Sequence, residues 1–495
     1  MLRRLAFAPL ALAAACATNP VTGKSELSLV SESQEIEMGR QEAQKVGQSI
    51  GFYEDAAVQS YVAGIGKRMA LESERPQLPW EFHVVNDASV NAFALPGGFI
   101  FVTRGLMTSV MNEAELASVI GHEIAHVTHR HSVQQISRAQ LAQIGLVAGS
   151  VMSSTVAQYG GLFAQGLGVL FLKYGRDAEL EADQSGFRYA LNQNYDVRQM
   201  IEMFAVLEGV SALSGGGKLP EWLSTHPNPG NRIAATEARL DTLKRDLSNA
   251  TVNRDGYLQR IKGMPYGDDP RQGFFRGDAF LHPGLRFQLE IPRGWPAQNT
   301  PSAVVAVSPN QDAIVQLGLA GNVQPTQAAR QFLSQQGITP GESSTESVNG
   351  NPAATSYFAA RTEQGEIRGL VSFISYGGTT YGIMGYTGAR SLNQYDNTFK
   401  QVIRSFRTLN DPSALSVRPA RIELVQVEQP MTVAEFHRRY QSPISVQELA
   451  LINGLDGPDD TMRPGRQFKR VSGTVMQTSM NEAALAAQQK QQQQP

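Results

Sequence analysis

The residues best suited to chemistry in this 495-residue chain are His122-Glu123-Ile124-Ala125-His126. Four positions apart on a helix, the two imidazoles lie about 40° apart around the axis and can grip one tetrahedral metal ion. Glu123 falls about 100° from His122, at the edge of that face, where its carboxylate can act as a base on water. Leu116, Ile120, Ile124 and Val127 fall on the other side and predict a core-facing surface. Asn112 predicts the helix N-cap, and Glu115 three residues later completes a capping box. The chemistry implied is metal-assisted hydrolysis with a carboxylate general base.

A third ligand is expected in Tyr174-Gly-Arg-Asp-Ala-Glu-Leu-Glu-Ala-Asp-Gln-Ser-Gly186. On a helix, Glu179, Ala182, Asp183, Gly186 and Ala190 share one face, and Glu181, Gln184 and Arg188 share the opposite, solvated one. Small residues beside the acids let that face approach another helix closely. This geometry selects Glu179 as ligand over Glu181. It also places Asp183, one turn on, to hold a ligand imidazole by its free N–H. His129 and His131 follow the motif closely, but a fourth protein ligand would close the site. Both are read as solvated or structural.

HExxH followed by ExxxD, in the setting Arg176-x-x-Glu179-x-x-Ala182-Asp183, resembles the HtpX-like family of zinc metallopeptidases, gluzincins related to CAAX prenyl proteases. Asn91-Ala92-Phe93-Ala-Leu-Pro-Gly-Gly98 resembles the family's segment ahead of the active-site helix, where substrate lies as a strand along the cleft. Ser224-Thr-His226-Pro-Asn-Pro-Gly-Asn-Arg232 resembles its later motif. The resemblance implies one zinc ion per chain held by His122, His126 and Glu179, with Glu123 as catalytic base. It also implies substrate contacts at Asn91, Ala92 and Phe93. His226 would donate to the transition-state oxyanion or bind the resting zinc, and Arg232 is placed to fix an acidic group of the site.

Composition bounds the rest. Hydrophobic residues make up 41% of the chain, enough for real cores, and a formal charge of −2 gives no reason to expect nucleic acid. Arg3 and Arg4 followed by an apolar run predict an export signal over 1–15. Ala13-Ala-Ala-Cys16, which contains the only cysteine, resembles a lipobox and predicts a lipid-modified Cys16. Positions 17–29 then read as a polar tether. Positions 139–172 hold no Lys, Arg, Asp or Glu, yet polar residues interrupt both halves, so neither makes a clean apolar span of about 20 residues. They read as a helical hairpin over the cleft or against the lipid surface. Gly215-Gly-Gly217 reads as a hinge before the His226 loop.

The expected fold class is α+β. A mainly helical zincin-type peptidase domain with a small β-sheet occupies 16–250, and a linker follows at 251–273. A β-rich α+β domain at 274–410 resembles PsbP-like domains. A small βααβ module at 421–471 resembles a LysM peptidoglycan-binding repeat, with Pro430-Met431 standing where Gly-Asp is usual. The tail, 472–495, is Gln-rich and reads as disordered. The function this reading implies is a zinc endopeptidase on the periplasmic side of the outer membrane, lipid-anchored, acting on misfolded or unassembled envelope proteins, with peptidoglycan a further partner. The alternative is a chaperone-like or wall-anchored protein with a latched peptidase domain. A prenyl-protein processing enzyme fails for want of clear membrane spans.

Overall fold

The computed structural model describes residues 16–146, 174–213, 225–226, 229–300, 303–362 and 365–475. The expected signal, most of the 139–172 segment, the glycine hinge and the Gln-rich tail lie outside them. Among the described residues no helix is long and apolar enough to cross a membrane.

The chain divides into two compact units, one formed by 1–267 with 421–472 and the other by 268–420 with 473–495. The first begins with a hairpin of β1 (Cys16–Thr18) and β2 (Ser25–Leu27). This corrects the expected tether at 17–29. The polar residues there serve a turn: Asn19 Oδ1 accepts from the Val21 and Thr22 amides at 2.9 and 3.1 Å, and its Nδ2 donates to the His129 carbonyl at 3.1 Å. Helices α1 (Glu32–Ser49) and α2 (Ala56–Leu71) follow, capped by Ser31 and Asp55. Strands β3 (Glu81–Val85), β4 (Ala92–Leu95) and β5 (Phe99–Thr103) form a sheet of order β3-β5-β4. β3 runs parallel to β5, and β4 is an antiparallel edge strand.

Helix α3 (Arg104–Ser109) leads into α4 (Glu113–Thr128), every residue of which is buried. Asn112 caps α4 as the sequence predicts, its Oδ1 accepting from the Glu115 amide at 2.9 Å. The Glu115 carboxylate accepts from the Met111 amide at 2.8 Å, one residue earlier than a standard capping box requires. Helices α5 (His131–Leu146), α6 (Arg176–Asn192), α7 (Gln199–Leu213), α8 (Pro229–Thr242) and α9 (Arg254–Ile261) complete this stretch. The expected linker at 251–273 contains α9, because Tyr257, Leu258 and Ile261 form an apolar face and are fully buried.

The second unit is β-rich. Strands β6 (Phe274–Arg276), β7 (Ala279–His282) and β8 (Phe287–Glu290) are joined at the β8 side by β16 (Arg407–Thr408). A seven-stranded antiparallel sheet holds β9 (Ala297–Asn299), β10 (Ala303–Val307), β11 (Ala313–Gly321), β12 (Ile338–Ser344), β13 (Ala353–Thr362), β14 (Gly365–Tyr376) and β15 (Thr379–Gly388), in the order β12-β13-β14-β15-β11-β10-β9. Helices α10 (Pro325–Leu333) and α11 (Leu392–Ser405) bury Ala328 and Ala329, and Phe399, Val402 and Ile403, against it. Positions 327–335 and 393–405 read as helices from the sequence alone and coincide with α10 and α11, whereas no strand is expected from the sequence at β12 or β13.

The last segment returns to the first unit. Strands β17 (Arg421–Gln426) and β20 (Gln467–Ser472) pair antiparallel around α12 (Val433–Tyr440) and α13 (Val446–Leu451), with a short pair β18 (Met431–Thr432) and β19 (Thr461–Met462). Lys469 of β20 is fully buried and donates from Nζ to the carbonyls of Thr108, Ser109 and Val110 at 2.9, 3.3 and 2.9 Å. The module therefore packs under the end of α3, next to the start of α4.

Candidate metal centre

Two glycines bring the two chemical helices together. A Cβ on Gly186 of α6 would stand 2.8 Å from the His122 amide nitrogen of α4, and one on Gly121 would stand 3.0 Å from the Gly186 carbonyl. The helices thus approach to backbone contact, which lets a side chain as short as glutamate reach the histidines.

Four side chains then converge. His122 Nε2 and His126 Nε2 are 2.9 Å apart, and Glu179 places Oε2 and Oε1 each 3.5 Å from one of them. His226 Nδ1 lies 2.9 Å from Glu179 Oε1 and 3.2 Å from His122 Nε2. All four are buried, and one donor atom from each falls within 4.8 Å of the others. The histidines are held from behind. His122 Nδ1 lies 2.9 Å from Asp183 Oδ1, so the ring proton sits on Nδ1 and donates to the carboxylate. Arg232 clamps Asp183 with bonds of 2.7 and 2.6 Å and lies 3.1 Å from Glu179 Oε2. Its guanidinium also stacks over Phe204, 4.5 Å from the ring centre. Tyr174, just ahead of α6, stacks flat on His126 at 3.9 Å.

The electrostatics follow from burial and these partners. Burial alone would raise Asp183, but Arg232 and the His122 N–H outweigh it and hold the carboxyl well below the usual carboxylate range. Glu179 is likewise lowered, with His226 and Arg232 overcoming desolvation. Glu123 goes the other way: burial pushes it up despite His226 and His122. Both Glu123 oxygens are buried without a hydrogen-bond partner, and His226 Nε2 lies 3.7 Å from Glu123 Oε1. Burial drives His126 well below the ordinary histidine value, with the nearby His122 adding to it, so its ring is neutral.

This donor set fits a metal ion. His122 carries its proton on Nδ1, so a lone pair on Nε2 points into the centre beside a second imidazole nitrogen and an anionic carboxylate. Such atoms repel at these distances unless a cation, or a proton carried on one of the rings, sits among them. An unpartnered carboxylate at the rim is the complementary feature expected where water is to be activated.

Of the residues singled out from the sequence, His122, His126, Glu179, His226, Asp183, Arg232 and Glu123 are brought together. Asn91, Ala92 and Phe93 are not part of that cluster. Asn91 immediately precedes, and Ala92 and Phe93 start, the edge strand β4, which packs along α4, with Asn91 buried and Phe93 stacked on Phe101 at 5.0 Å. Glu181 lies outside the cluster, 40% exposed, but it is not purely solvated. It accepts from His131, which is buried and touches His126 through the two Nδ1 atoms at 2.9 Å. Solvation is therefore the wrong reading for His131 and His129, both 2% exposed. The sequence reading missed Tyr174 and His131 as neighbours of the centre. His131 lies five residues after His126, past the helix end, where the helical wheel no longer applies; Arg130, at φ +58°, turns the chain there.

Residues 56–240, which build nearly all of this centre, match the family model described as Peptidase family M48. Among curated relatives, the β-barrel assembly-enhancing protease of Yersinia pestis is 31% identical over 262 residues, covering 50% of this chain and 52% of its own length. The putative β-barrel assembly-enhancing protease of Vibrio cholerae is 32% identical over 197 residues, 37% of this chain and 40% of that one. The mitochondrial metalloendopeptidase OMA1 of Bos taurus is 35% identical over 164 residues, 32% and 31% of the two chains. The chain spans about half the length, or less, of these relatives.

Proposed function

We propose that this chain is a zinc-dependent endopeptidase of the bacterial cell envelope that cleaves unfolded or unassembled envelope proteins. The observation that carries the reading is the buried, unpartnered Glu123 carboxylate beside converging His122, His126 and Glu179 donors. The relatives named as β-barrel assembly-enhancing proteases support the substrate class. The resemblance of the motifs to the HtpX-like subtype supports zinc as the metal.

His122, His126 and Glu179 would hold the ion. Zinc bound there supplies Lewis acidity, polarising a peptide carbonyl and acidifying water. Glu123 takes a proton from the attacking water and returns it to the leaving amine, a role its upward-shifted, proton-hungry carboxylate suits. Asp183 fixes the His122 tautomer, and Arg232 holds Asp183 in place. An extended substrate adds beside the edge strand β4, with Asn91, Ala92 and Phe93 presenting the backbone. His226 stands among the donors, and its contacts with Glu179 and His122 support a resting latch. Swung aside by substrate, the same ring would donate to the oxyanion.

The lipid anchor at Cys16, the place on the periplasmic side of the outer membrane, and peptidoglycan contact through 421–471 complete the proposal, resting on the lipobox and LysM resemblances. A second reading, a chaperone-like protein with a shut peptidase, is favoured by the inward position of His226. The test is cleavage of an unfolded outer-membrane β-barrel protein by the zinc-loaded chain, with and without chelator. Chelator-sensitive fragments support the peptidase. Suppressed aggregation without any cleavage supports the chaperone.

A further inference from the structure

A second histidine cluster lies one hydrogen bond behind the first. His131 directs Nδ1 at His126 Nδ1, 2.9 Å away, and Nε2 at Glu181 Oε2, 3.3 Å away. His129 stacks on His131 with ring centres 5.1 Å apart, and its Nδ1 lies 3.9 Å from the same carboxylate oxygen. His129 Nε2 faces Ser185 Oγ at 2.9 Å, while its Nδ1 is buried with no hydrogen-bond partner. Burial pushes this ring down to about 4, so it is neutral at pH 7. With Nε2–H donating to Ser185, Nδ1 offers a lone pair towards Glu181. One donor atom from each of His129, His131 and Glu181 lies within 4.8 Å of the others. The Glu181 side chain is 40% exposed, which gives a cation a route from solvent and leaves room for water beside it. Two imidazoles and one carboxylate form a donor set of the kind zinc takes.

We propose that His129, His131 and Glu181 form a second divalent-cation site whose filling competes with filling of the His122, His126 and Glu179 centre. The competition comes from one shared proton. When His126 Nε2 holds a metal, its ring proton sits on Nδ1 and donates to His131 Nδ1. The His131 proton is then on Nε2, pointing at Glu181, and that nitrogen is closed to a second ion. When His131 Nε2 holds a metal, its proton moves to Nδ1 and donates to His126 Nδ1. The His126 proton is then on Nε2, which withdraws that ligand from the first centre. With both sites filled, two N–H groups would face each other at 2.9 Å. Proton number is conserved throughout; only the tautomers change.

The competition rests on the proposed metal-holding role of the first centre; the existence of the second site does not. Zinc is titrated calorimetrically into the chelator-stripped full chain, with folding of each variant checked by circular dichroism. Wild type is expected to bind one tight ion and a second at least about tenfold more weakly. His122→Ala, or Glu179→Gln if that variant misfolds, should bind one ion more tightly than the second ion of wild type, because His126 is released to carry its proton inward. Adding His129→Ala to either should abolish that ion. His129→Ala alone should keep the tight ion and lose the weak one. A weak ion that survives His129→Ala, or a folded first-centre variant that binds none, overturns the site. Two equally tight ions in wild type overturn the competition. A wild type with no tight ion, beside a first-centre variant that binds one, fails the peptidase reading and leaves the second site standing.

Discussion

Replacing Lys469 with Met should destabilise the metal helix from a residue 343 positions past His126 in the chain. The Lys469 ammonium is fully buried and is the donor to three carbonyls at the end of α3. Burial lowers it to about 7 while the charge of Glu115 pulls the other way; Glu115 itself is raised by burial to about 7. Hydrogen bonds to a charged group contribute about 1.5–3 kcal/mol each, and they are not additive when one donor makes all three. Removing one partner from a buried charge network costs about 3–5 kcal/mol. Met keeps the apolar stem and is relieved of the desolvation of a charge, which offsets part of that loss. The net expectation is about 3 kcal/mol, or roughly 4–6 °C in melting temperature for a unit of this size. Urea and thermal unfolding of the full chain, followed by a probe in the first unit, measure it. A shift under about 2 °C would mean that the 421–472 segment is a passive appendage and that the reasoning from this contact is wrong.

Glu179→Ala should strip the tight metal, whereas Glu181→Ala should keep it with about tenfold weaker affinity, through loss of the His131 support behind His126; metal analysis of both purified variants decides, and the reverse result would place the ligand on the wrong side of α6. His226→Ala with zinc retained should slow peptide cleavage roughly 10²–10³-fold if oxyanion donation dominates, as we expect, and a faster variant in steady-state assays would leave only the latch. Asp183 is held below its unfolded value, so it stabilises the fold fully above about pH 4 and that contribution is lost as pH falls further. Asp183→Asn should therefore flatten the acid limb of melting temperature against pH, and an unchanged acid limb would refute the assignment.

The sequence was most legible where one helix carried both chemistry and phase. On α4 and α6, period and residue type together put His122, His126, Glu179 and Asp183 on the faces that meet, and Glu181 on another face, because a regular helix fixes angular position. The α4 cap was legible in Asn112 for the same local reason. What was not legible depends on contacts distant in sequence or on a chain leaving its helix. His131 follows a left-handed residue, Arg130, so no wheel places it beside His126. The hairpin at Cys16–Leu27 is set by Asn19, whose partner is the carbonyl of His129, more than a hundred residues away. α9 was read as linker because eight residues with Asp, Gly and two Arg look polar, although Tyr257, Leu258 and Ile261 share one buried face. β12 was missed because Ile338–Ser344 has almost no apolar side chain to bury; as an edge strand it is specified by pairing with β13 rather than by its own pattern.

The central claim is that Glu123 is the general base of a metal-dependent peptidase, and Glu123→Gln tests it most directly. The substitution keeps shape and leaves His122, His126 and Glu179 untouched. Zinc content and cleavage of one unfolded β-barrel protein are measured on the same preparation of the full chain. The account predicts one retained tight zinc ion, an unchanged fold and cleavage reduced by several orders of magnitude. A zinc-loaded Glu123→Gln variant that cleaves at a rate near wild type contradicts it.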